Sequence, residues 1–284
     1  MKKITLIILT GIITTLVVIT LSGCGSDNHV KTLETLNTDE NKIGEPHWTS
    51  VTDGLAYSSL LVPVSTSQNR ELFIARINPR LFRFSIYLNK DATKAKSISD
   101  IHKEQHSLLT FNGSFFDTDF KPIGLIIKNG EKLSKLSPSE LSNGIFAINS
   151  KGEPALLDAK NPGDLTRFDF ALQNGPVLLD PEGDIKITVD TQKSASRTAL
   201  GIDNTGNVIL IVIKQTLLNS NNAMSLYQFA HLLKESPSLA ALNLHSVLNL
   251  DGGPSTGVII GKQYFPEINN VENVVTVLKK SSST

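Results

Sequence analysis

The residues with the clearest chemical potential lie near the C-terminus, in the run Leu250-Asp251-Gly252-Gly253-Pro254-Ser255-Thr256. The β-prone residues 247–250 predict a strand that leads into this glycine-rich turn. A carboxylate, the amides of two glycines and two hydroxyl groups would then meet at one strand end, where they could bind a polar ligand. The alternative interpretation is an ordinary tight turn in which Asp251 accepts an Asx-type hydrogen bond.

Three further segments place a polar side chain beside a predicted strand. Asn112 ends a strand and is followed by Gly113, Ser114 and two phenylalanines, and Gln173 precedes a Gly-Pro turn. Amide side chains of this kind can bind hydroxyl groups, although adjacent phenylalanines are more often core residues. Arg197 opens another strand, and its fork of donors suits a phosphate or a carboxylate. The alternative for Arg197 is a surface salt bridge.

Taken in order, these four segments resemble the phosphodiester glycosidase domain family. The family pattern runs Asn-Gly-Gly-Phe-Phe, Gln-x-Gly-Pro, Arg-Thr-Ala-Ile-Gly and Leu-Asp-Gly-Gly-x-Ser, which matches residues 112–116, 173–176, 197–201 and 250–255. Two positions depart from it, because Ser114 and Pro254 stand where the family has glycines. Pro254 also removes one backbone donor from the turn. Bacterial members with this pattern are often described as exopolysaccharide-related proteins.

The resemblance implies hydrolysis of a sugar C1–O bond whose leaving group is a phosphate ester. It implies that Asp251 is the base or nucleophile and that Arg197 holds the phosphate. Asn112 and Gln173 would either bind sugar hydroxyls or orient Asp251. Glycoside hydrolysis ordinarily uses two carboxyl groups, although a phosphate needs little acid assistance to leave.

The predicted substrate-binding residues surround these four side chains. The glycine amides and Ser255 would form a nest for an anion, Thr256 would add a hydroxyl, and the second carboxylate would come from Asp117 or Asp119, just after the first motif. The full set is Gly252, Gly253, Ser255, Thr256, Asp117 and Asp119. No cofactor or metal is predicted, because the helical spacing of His102 and His106 is interpreted as a solvated helix face.

Two other classes of function compete with this hydrolase. One is a non-catalytic lipoprotein that binds glycan or cell-wall polymer in the same pocket, and the other is a structural envelope protein with no small ligand. An ionisable carboxylate beside an arginine favours the enzyme.

The hydrophobic pattern predicts a single α+β domain, a strand-rich mixed sheet flanked by a few helices. Helices are predicted from residue 97 to 105 and from Ser225, where Ser225 and Gln228 fit a capping box. Asp203 to Gly206 predict a hairpin turn. Ten strands are predicted, at residues 72–77, 82–88, 107–112, 123–127, 145–148, 168–173, 197–202, 208–213, 247–251 and 274–278.

The N-terminus has the layout of a secretory signal. Two lysines precede an apolar run that closes in Leu21-Ser22-Gly23-Cys24, which resembles a bacterial lipobox, and Cys24 is the sole cysteine. The alternative is a retained membrane anchor. The predicted domains are a signal peptide at 1–23, a polar tether at 24–53 and the glycosidase-like domain at 54–284.

These features predict an envelope lipoprotein that reaches the membrane through lipidated Cys24. The chain has 27 basic and 27 acidic residues. Such a dispersed, balanced charge argues against a nucleic-acid partner. The predicted partner is a carbohydrate or sugar-phosphate substrate.

Overall fold

The structure is a computed structural model that describes residues 44–66, 68–215, 219 and 221–280, which belong to one compact unit. The predicted signal peptide, Cys24 and most of the predicted tether lie outside the described residues. The tether's last residues belong to the fold, because Thr49–Thr52 forms strand β1. Its β-branched residues favour a strand, and the Arg76 guanidinium lies 4.2 Å from the centre of the neighbouring Trp48 ring. The folded part therefore begins before the predicted boundary at residue 54.

The α+β class is confirmed, with the strands arranged in three antiparallel sheets instead of one mixed sheet. The first sheet has the order β1, β2 (Leu55–Ser65), β3 (Gln68–Ile77), β13 (Val208–Ile213), β12 (Arg197–Asp203), β14 (Leu244–Asn249), β11 (Val177–Leu179). The second has the order β7 (Glu131–Ser134), β6 (Ile126–Lys128), β10 (Phe168–Asn174), β8 (Gly144–Asn149), β9 (Pro154–Asp158). The third has the order β16 (Gln263–Phe265), β15 (Val258–Ile260), β5 (Leu109–Asn112), β17 (Asn273–Lys279), β4 (Phe82–Leu88).

The main hydrophobic core lies between the three sheets. It contains Leu210 and Leu248 from the first sheet, Phe146 from the second, and Phe111 and Val275 from the third. A second core covers the other face of the first sheet, and helix α2 packs there. Strand β13 is buried along its whole length, which explains its uninterrupted apolar sequence.

Both predicted helices are present. Helix α1 (Ile98–Glu104) has Ser97 as its N-cap, and α2 (Leu226–Glu235) has the predicted capping box between Ser225 and Gln228. The described residues also form three short 3-10 segments: Ala92–Lys94, Pro237–Leu242 and Gly253–Ser255. Within the described part of the chain, no helix has both the length and the apolar character to cross a membrane.

Two sheets meet at the end of β14. Strand β14 pairs with β12 in the first sheet, and the chain then turns and enters the third sheet as β15. The residues between β14 and β15 are the glycine-rich turn, and they lie beside the ends of β5 and β12. The fold thus brings the first, third and fourth sequence motifs to one place.

Candidate active site

Asp251 is a partly buried carboxyl group at the end of β14. It accepts hydrogen bonds from the Gly252 amide at 2.9 Å and from the Ser255 hydroxyl. Burial raises the pKa of Asp251 to about 6, although the two hydrogen bonds act in the opposite direction. A raised pKa from burial is typical of carboxyl groups that act as bases or nucleophiles near neutral pH.

Arg197 opens β12 next to the turn that holds Asp251. At this end of the pair Ala199 is opposite Asn249, and beyond them the Leu250 amide donates to the Thr198 carbonyl and the Gly253 amide to the Ser196 carbonyl, each at 2.8 Å. A Cβ on Gly252 would lie 3.9 Å from the Arg197 Cα, so the backbone that follows Asp251 is close to that of Arg197. The structure therefore brings these two predicted residues together.

The Arg197 guanidinium has no carboxylate partner among the described residues. Its Nε donates to the Met224 carbonyl at 2.9 Å and its Nη2 to the Lys193 carbonyl at 2.6 Å. The side chain is half-buried, and burial lowers the pKa of Arg197. A partly desolvated cation without an opposite charge is a suitable place for an anionic ligand.

Asn112 is fully buried and cannot contact a sugar in this structure. Its Nδ2 donates to the Asp251 carbonyl at 2.6 Å, and its Oδ1 accepts from the Thr198 hydroxyl at 2.9 Å and the Gly257 amide at 3.2 Å. The Asn112 side chain is thus occupied by groups of the protein, and its use in binding sugar hydroxyls stays a prediction. Its contacts fit the other use, which is to orient Asp251.

Gln173 is fully buried as well, and all of its partners are backbone groups. Its Oε1 accepts from the amides of Leu125 and Ser137, each at 2.9 Å, and its Nε2 donates to the carbonyls of Ser137 and Ser142 at 2.7 and 2.9 Å. No donor or acceptor is left for a sugar. Gln173 holds loops in place and contacts neither Asp251 nor Arg197 through these bonds.

The predicted anion nest is not formed. The Gly252 amide bonds the Asp251 carboxylate, the Gly253 amide donates to the Ser196 carbonyl at 2.8 Å, and the Ser255 amide donates to the Gly252 carbonyl at 3.2 Å. A Cβ on Gly252 would lie 2.8 Å from the Ser196 oxygen, so glycine is required by this close approach. The three amides therefore bond groups of the protein instead of facing an external anion, and the amide of Gly252 holds the Asp251 carboxylate.

Thr256 is fully buried, so its hydroxyl does not line the site as predicted. Its carbonyl accepts a 2.6 Å hydrogen bond from the ammonium group of Lys214, which is 9% exposed. Burial lowers the pKa of Lys214. Sequence analysis missed this lysine, although a cation directly after the apolar residues of β13 is an available signal.

Asp117 and Asp119 are both exposed and shape a turn. The Asp117 carboxylate accepts from the amides of Asp119 and Lys121, each at 2.9 Å, and Asp119 forms an exposed ion pair with Lys121. Neither carboxylate contacts Asp251 through these bonds.

The buried carboxyl group on the opposite side of the first motif is Glu272, which sequence analysis missed. Glu272 is 3% exposed and accepts a 2.7 Å bond from the Asn273 side chain. Burial raises the pKa of Glu272 to about 7, and the charge of Asp117 adds to the increase. The only sequence signal was an acidic residue between the apolar residues Val271 and Val274.

Asn273 connects Glu272 to the first motif. Its side chain accepts from the Ser114 amide at 2.7 Å, and its carbonyl accepts from the Gly113 amide at 3.0 Å. The Gly113 carbonyl in turn accepts from the Asp251 amide at 3.2 Å. Asp251 and Glu272 therefore flank residues 112–114, with two inter-strand spacings, roughly 10 Å, between their backbones.

Comparison with known proteins gives a consistent result. A family model described as phosphodiester glycosidase matches residues 106–278, more than half of the chain. An uncharacterised protein of Escherichia coli K12, YigE, is 28% identical over 192 residues, which cover 62% of this chain and 69% of that protein.

Two solved structures have a similar fold. A hypothetical protein from Synechocystis has a TM-score of 0.63 at 16% identity, and the match covers 83% of this chain but only 64% of that protein. The zebrafish N-acetylglucosamine-1-phosphodiester alpha-N-acetylglucosaminidase catalytic domain, auto-inhibited by its pro-peptide, has a TM-score of 0.61 at 20% identity. That match covers 84% of this chain and 87% of the zebrafish domain.

Proposed function

Since this chain belongs to the phosphodiester glycosidase family, whose members are hydrolases, we propose that it cleaves the C1–O bond of a sugar-1-phosphodiester. The zebrafish structural relative is named for this bond type, in N-acetylglucosamine-1-phosphodiesters. The products would be a free sugar and a phosphate monoester.

One observation carries the proposal. Asp251, a carboxyl group with a pKa raised to about 6, lies in the turn whose backbone is close to that of Arg197, a half-buried cation that forms no ion pair among the described residues. The two groups supply what the reaction needs at its two ends: a base or nucleophile at C1 and positive charge at the departing phosphate.

Each residue of the site has a separate role in the proposed reaction. Ionised Asp251 either deprotonates the water that attacks C1, or attacks C1 itself and forms a glycosyl ester that water then hydrolyses. In both cases the C1–O bond to the phosphate breaks and its electron pair leaves with the phosphate. Arg197 donates hydrogen bonds to the phosphate as negative charge develops there. Asn112 and the Gly252 amide keep Asp251 in position, because they bond its carbonyl and its carboxylate.

Glu272 has a separate place in this scheme. It is buried, so it acts as a positioning residue: through Asn273 it holds Gly113 and Ser114, which lie beside Asp251. Phosphate leaves without strong acid assistance, so no second carboxyl group has to reach the substrate.

The deciding experiment is an assay of the purified protein on a panel of sugar-1-phosphodiesters, with ordinary alkyl glycosides of the same sugars as controls. We expect release of free sugar from at least one phosphodiester and little or none from the matched glycoside. A protein that binds these glycans but hydrolyses no phosphodiester would instead be the non-catalytic binding lipoprotein.

We also propose that the protein is an envelope lipoprotein acylated at Cys24. The proposal rests on the basic and apolar N-terminal sequence and on the lipobox-like residues 21–24. Cells that express the wild type with a labelled fatty acid should label the protein, and Cys24→Ser should remain an unlabelled precursor. Equal labelling of the two proteins would refute acylation at this residue.

A further inference from the structure

A groove lies at the end of the first sheet where β3 and β12 begin and β13 ends. Its volume is about 660 Å³. The described residues that line it are Arg70, Ser194, Ala223 and five asparagines or glutamines, so none of them is acidic. A depression of about 530 Å³ shares Gln68 and Arg70 with it. We call the first of these two depressions the polar groove.

The guanidinium group of Arg197 borders the polar groove. Its Nη2 donates to the Lys193 carbonyl, which belongs to the peptide that joins Lys193 to the lining residue Ser194. Its Nε donates to the carbonyl of Met224, which follows the lining residue Ala223 and itself lines the second depression. The polar groove therefore adjoins the cation that holds the phosphate in the proposed reaction.

Arg70 lies across β13 from Arg197. The buried side chain of Asn222 bonds both backbone groups of Glu71, each at 2.8 Å, and the Lys214 carbonyl at 3.1 Å, so it ties the start of β3 to the end of β13. Only β13 separates β3 from β12 in the sheet. The backbones of the two arginines are therefore two inter-strand spacings apart across the sheet, roughly 10 Å.

Arg70 resembles Arg197 in having backbone acceptors but no carboxylate partner. Its Nη1 donates to the Asn69 carbonyl at 3.3 Å, and its Nε is buried without a hydrogen-bond partner among the described residues. No ion pair among those residues includes either arginine. Two such cations beside one groove suit a ligand with two anionic groups, and the amide side chains around them can bond hydroxyl groups.

We infer that the polar groove binds the aglycone of the substrate and that Arg70 binds a second anionic group carried by that aglycone. This inference rests on the proposed function. The scissile phosphate lies at Arg197, a hydroxylated chain follows the groove, and the second anion lies at Arg70. Water adds across the C1–O bond, so that the free sugar leaves together with an anionic chain that ends in a phosphate monoester. The second proton of the water passes to that phosphate or to solvent.

Binding of two polyol phosphates tests the inference without turnover. Mannitol 1-phosphate and mannitol 1,6-bisphosphate have the same six-carbon hydroxylated chain and differ in the second phosphate. In calorimetric titrations at one ionic strength, we expect the bisphosphate to bind about 10- to 100-fold more tightly, the value of a hydrogen bond between charged groups. Equal affinity for the two ligands would overturn the inference.

A third ligand distinguishes the two chemical sources of the second anion. Mannonate 6-phosphate carries a carboxylate where the bisphosphate has a phosphate. A gain in affinity with the bisphosphate alone would assign the subsite to a polymer in which phosphates recur. An equal gain with the carboxylate would assign it to a chain that contains acidic sugars, and both results support a second anionic subsite.

Variants locate the effect at Arg70. Arg70→Gln should lose most of the gain from the second phosphate and keep its affinity for mannitol 1-phosphate, whereas Arg70→Lys should keep part of the gain. Arg80→Gln is the matched control, because Arg80 is exposed and follows the opposite end of β3. If Arg80→Gln reduces the gain as much as Arg70→Gln does, general electrostatic attraction explains it and the assignment is wrong. Equal weakening of both ligands by Arg70→Gln would show a structural role and would also overturn the inference.

Turnover separates this inference from the proposed reaction. The pair of substrates is one sugar-1-phosphodiester whose aglycone is either mannitol or mannitol phosphate. We expect the phosphorylated aglycone to lower KM by about 10-fold or more, and Arg70→Gln to remove the difference. Hydrolysis of both substrates with equal kcat/KM would keep the reaction and overturn the second subsite. Binding of the bisphosphate that depends on Arg70, without hydrolysis of any diester, would keep the subsite and refute the reaction.

Discussion

The two ends of the β12–β14 strand pair each carry an aspartate, and the two carboxyl groups behave in opposite ways. Asp203, which ends β12, is 5% exposed and accepts four hydrogen bonds from Thr205 and Asn207, at 2.7 to 2.9 Å. These bonds lower its pKa against the opposing effect of burial. Asp251 at the other end receives only the Gly252 amide and the Ser255 hydroxyl, and burial raises its pKa to about 6.

This comparison shows that burial alone does not make an active-site carboxylate. The number of hydrogen-bond donors determines whether the pKa of a buried carboxyl group is lowered or raised. Each donor to the ionised form offsets part of the cost of desolvating the charge. Asp203 is a fully satisfied turn residue, whereas Asp251 keeps capacity for a substrate. Substitutions at Asp251, Glu272, Arg197 and Asp203 test that difference.

The largest effect is expected from Asp251→Asn. The variant keeps the shape and most hydrogen bonds of the side chain but removes the charge, so turnover of a sugar-1-phosphodiester should fall by about 1,000-fold or more while substrate binding persists. Steady-state kinetics and a direct binding titration measure the two quantities. Asp203→Asn is the control, and it should leave kcat within about twofold of the wild type. Comparable losses of turnover in Asp251→Asn and Asp203→Asn would contradict the distinction between the two carboxyl groups.

Glu272→Gln tests the buried carboxyl group through stability. The folded protein holds the Glu272 proton more tightly than the unfolded chain, with a pKa of about 7 against 4.5, so ionisation costs folding free energy. This cost is absent below about pH 4.5 and complete above about pH 7. Glutamine removes it, and the variant should be more stable than the wild type by up to about 3 kcal/mol at pH 8.

Urea denaturation at pH 8 and at pH 4 measures the Glu272→Gln effect, and the gain should disappear at the lower pH. The exposed Glu182→Gln serves as the control and should change stability little at either pH. A stabilisation of Glu272→Gln that persists unchanged at pH 4 would argue against an ionised buried carboxylate as its origin.

Arg197→Lys should have an intermediate effect on catalysis. The positive charge remains, but the planar fork that bonds two carbonyls and an anion is lost, so kcat/KM should fall by about 10- to 100-fold. Arg76→Lys is a suitable control. Arg76 belongs to β3, where its guanidinium stacks on the Trp48 ring, and it does not lie beside Asp251. Unchanged kinetics in Arg197→Lys would show that the guanidinium does not hold the phosphate.

The smallest effect is expected from Asp203→Asn on stability. The folded-state pKa of Asp203 is lowered, so its ionised form contributes stability that is present above pH 4 and lost as pH falls through the folded-state pKa. The variant should be less stable by about 1–2 kcal/mol at pH 7, with a smaller difference at pH 3. This pH dependence has the opposite sign to that of Glu272, and a common sign for both would contradict the pKa directions.

Local sequence patterns were sufficient where a short stretch determines its own structure. The capping box at Ser225, the strand at residues 208–213 and the turn that starts at Asp203 are all found as predicted. The long strand β2 was missed, because its serines and Pro63 interrupt the alternation of apolar and polar residues. Its stability comes from pairing with β3 along nearly its whole length.

The site was harder to predict because its polar groups are satisfied by distant residues. The Gly253 amide is occupied by Ser196, and the Asn112 amide by the Asp251 carbonyl, 139 positions away. Glu272 is buried in part because Asn89, far away in sequence, donates to its carbonyl at 2.6 Å. Motif spacing indicates which segments meet, but it does not indicate which of their donors remain free.

The hydrogen bonds of Gln173 determine how this part of the molecule unfolds locally. One side chain bonds the backbone at residues 125, 137 and 142, so none of these segments can separate from β10 without breaking part of the same set of bonds. In hydrogen exchange, the amide protons of Leu125 and Ser137 should therefore exchange at linked rates, as one cooperative unit. Substitutions elsewhere in these loops can alter their surface while the unit keeps a single local unfolding transition.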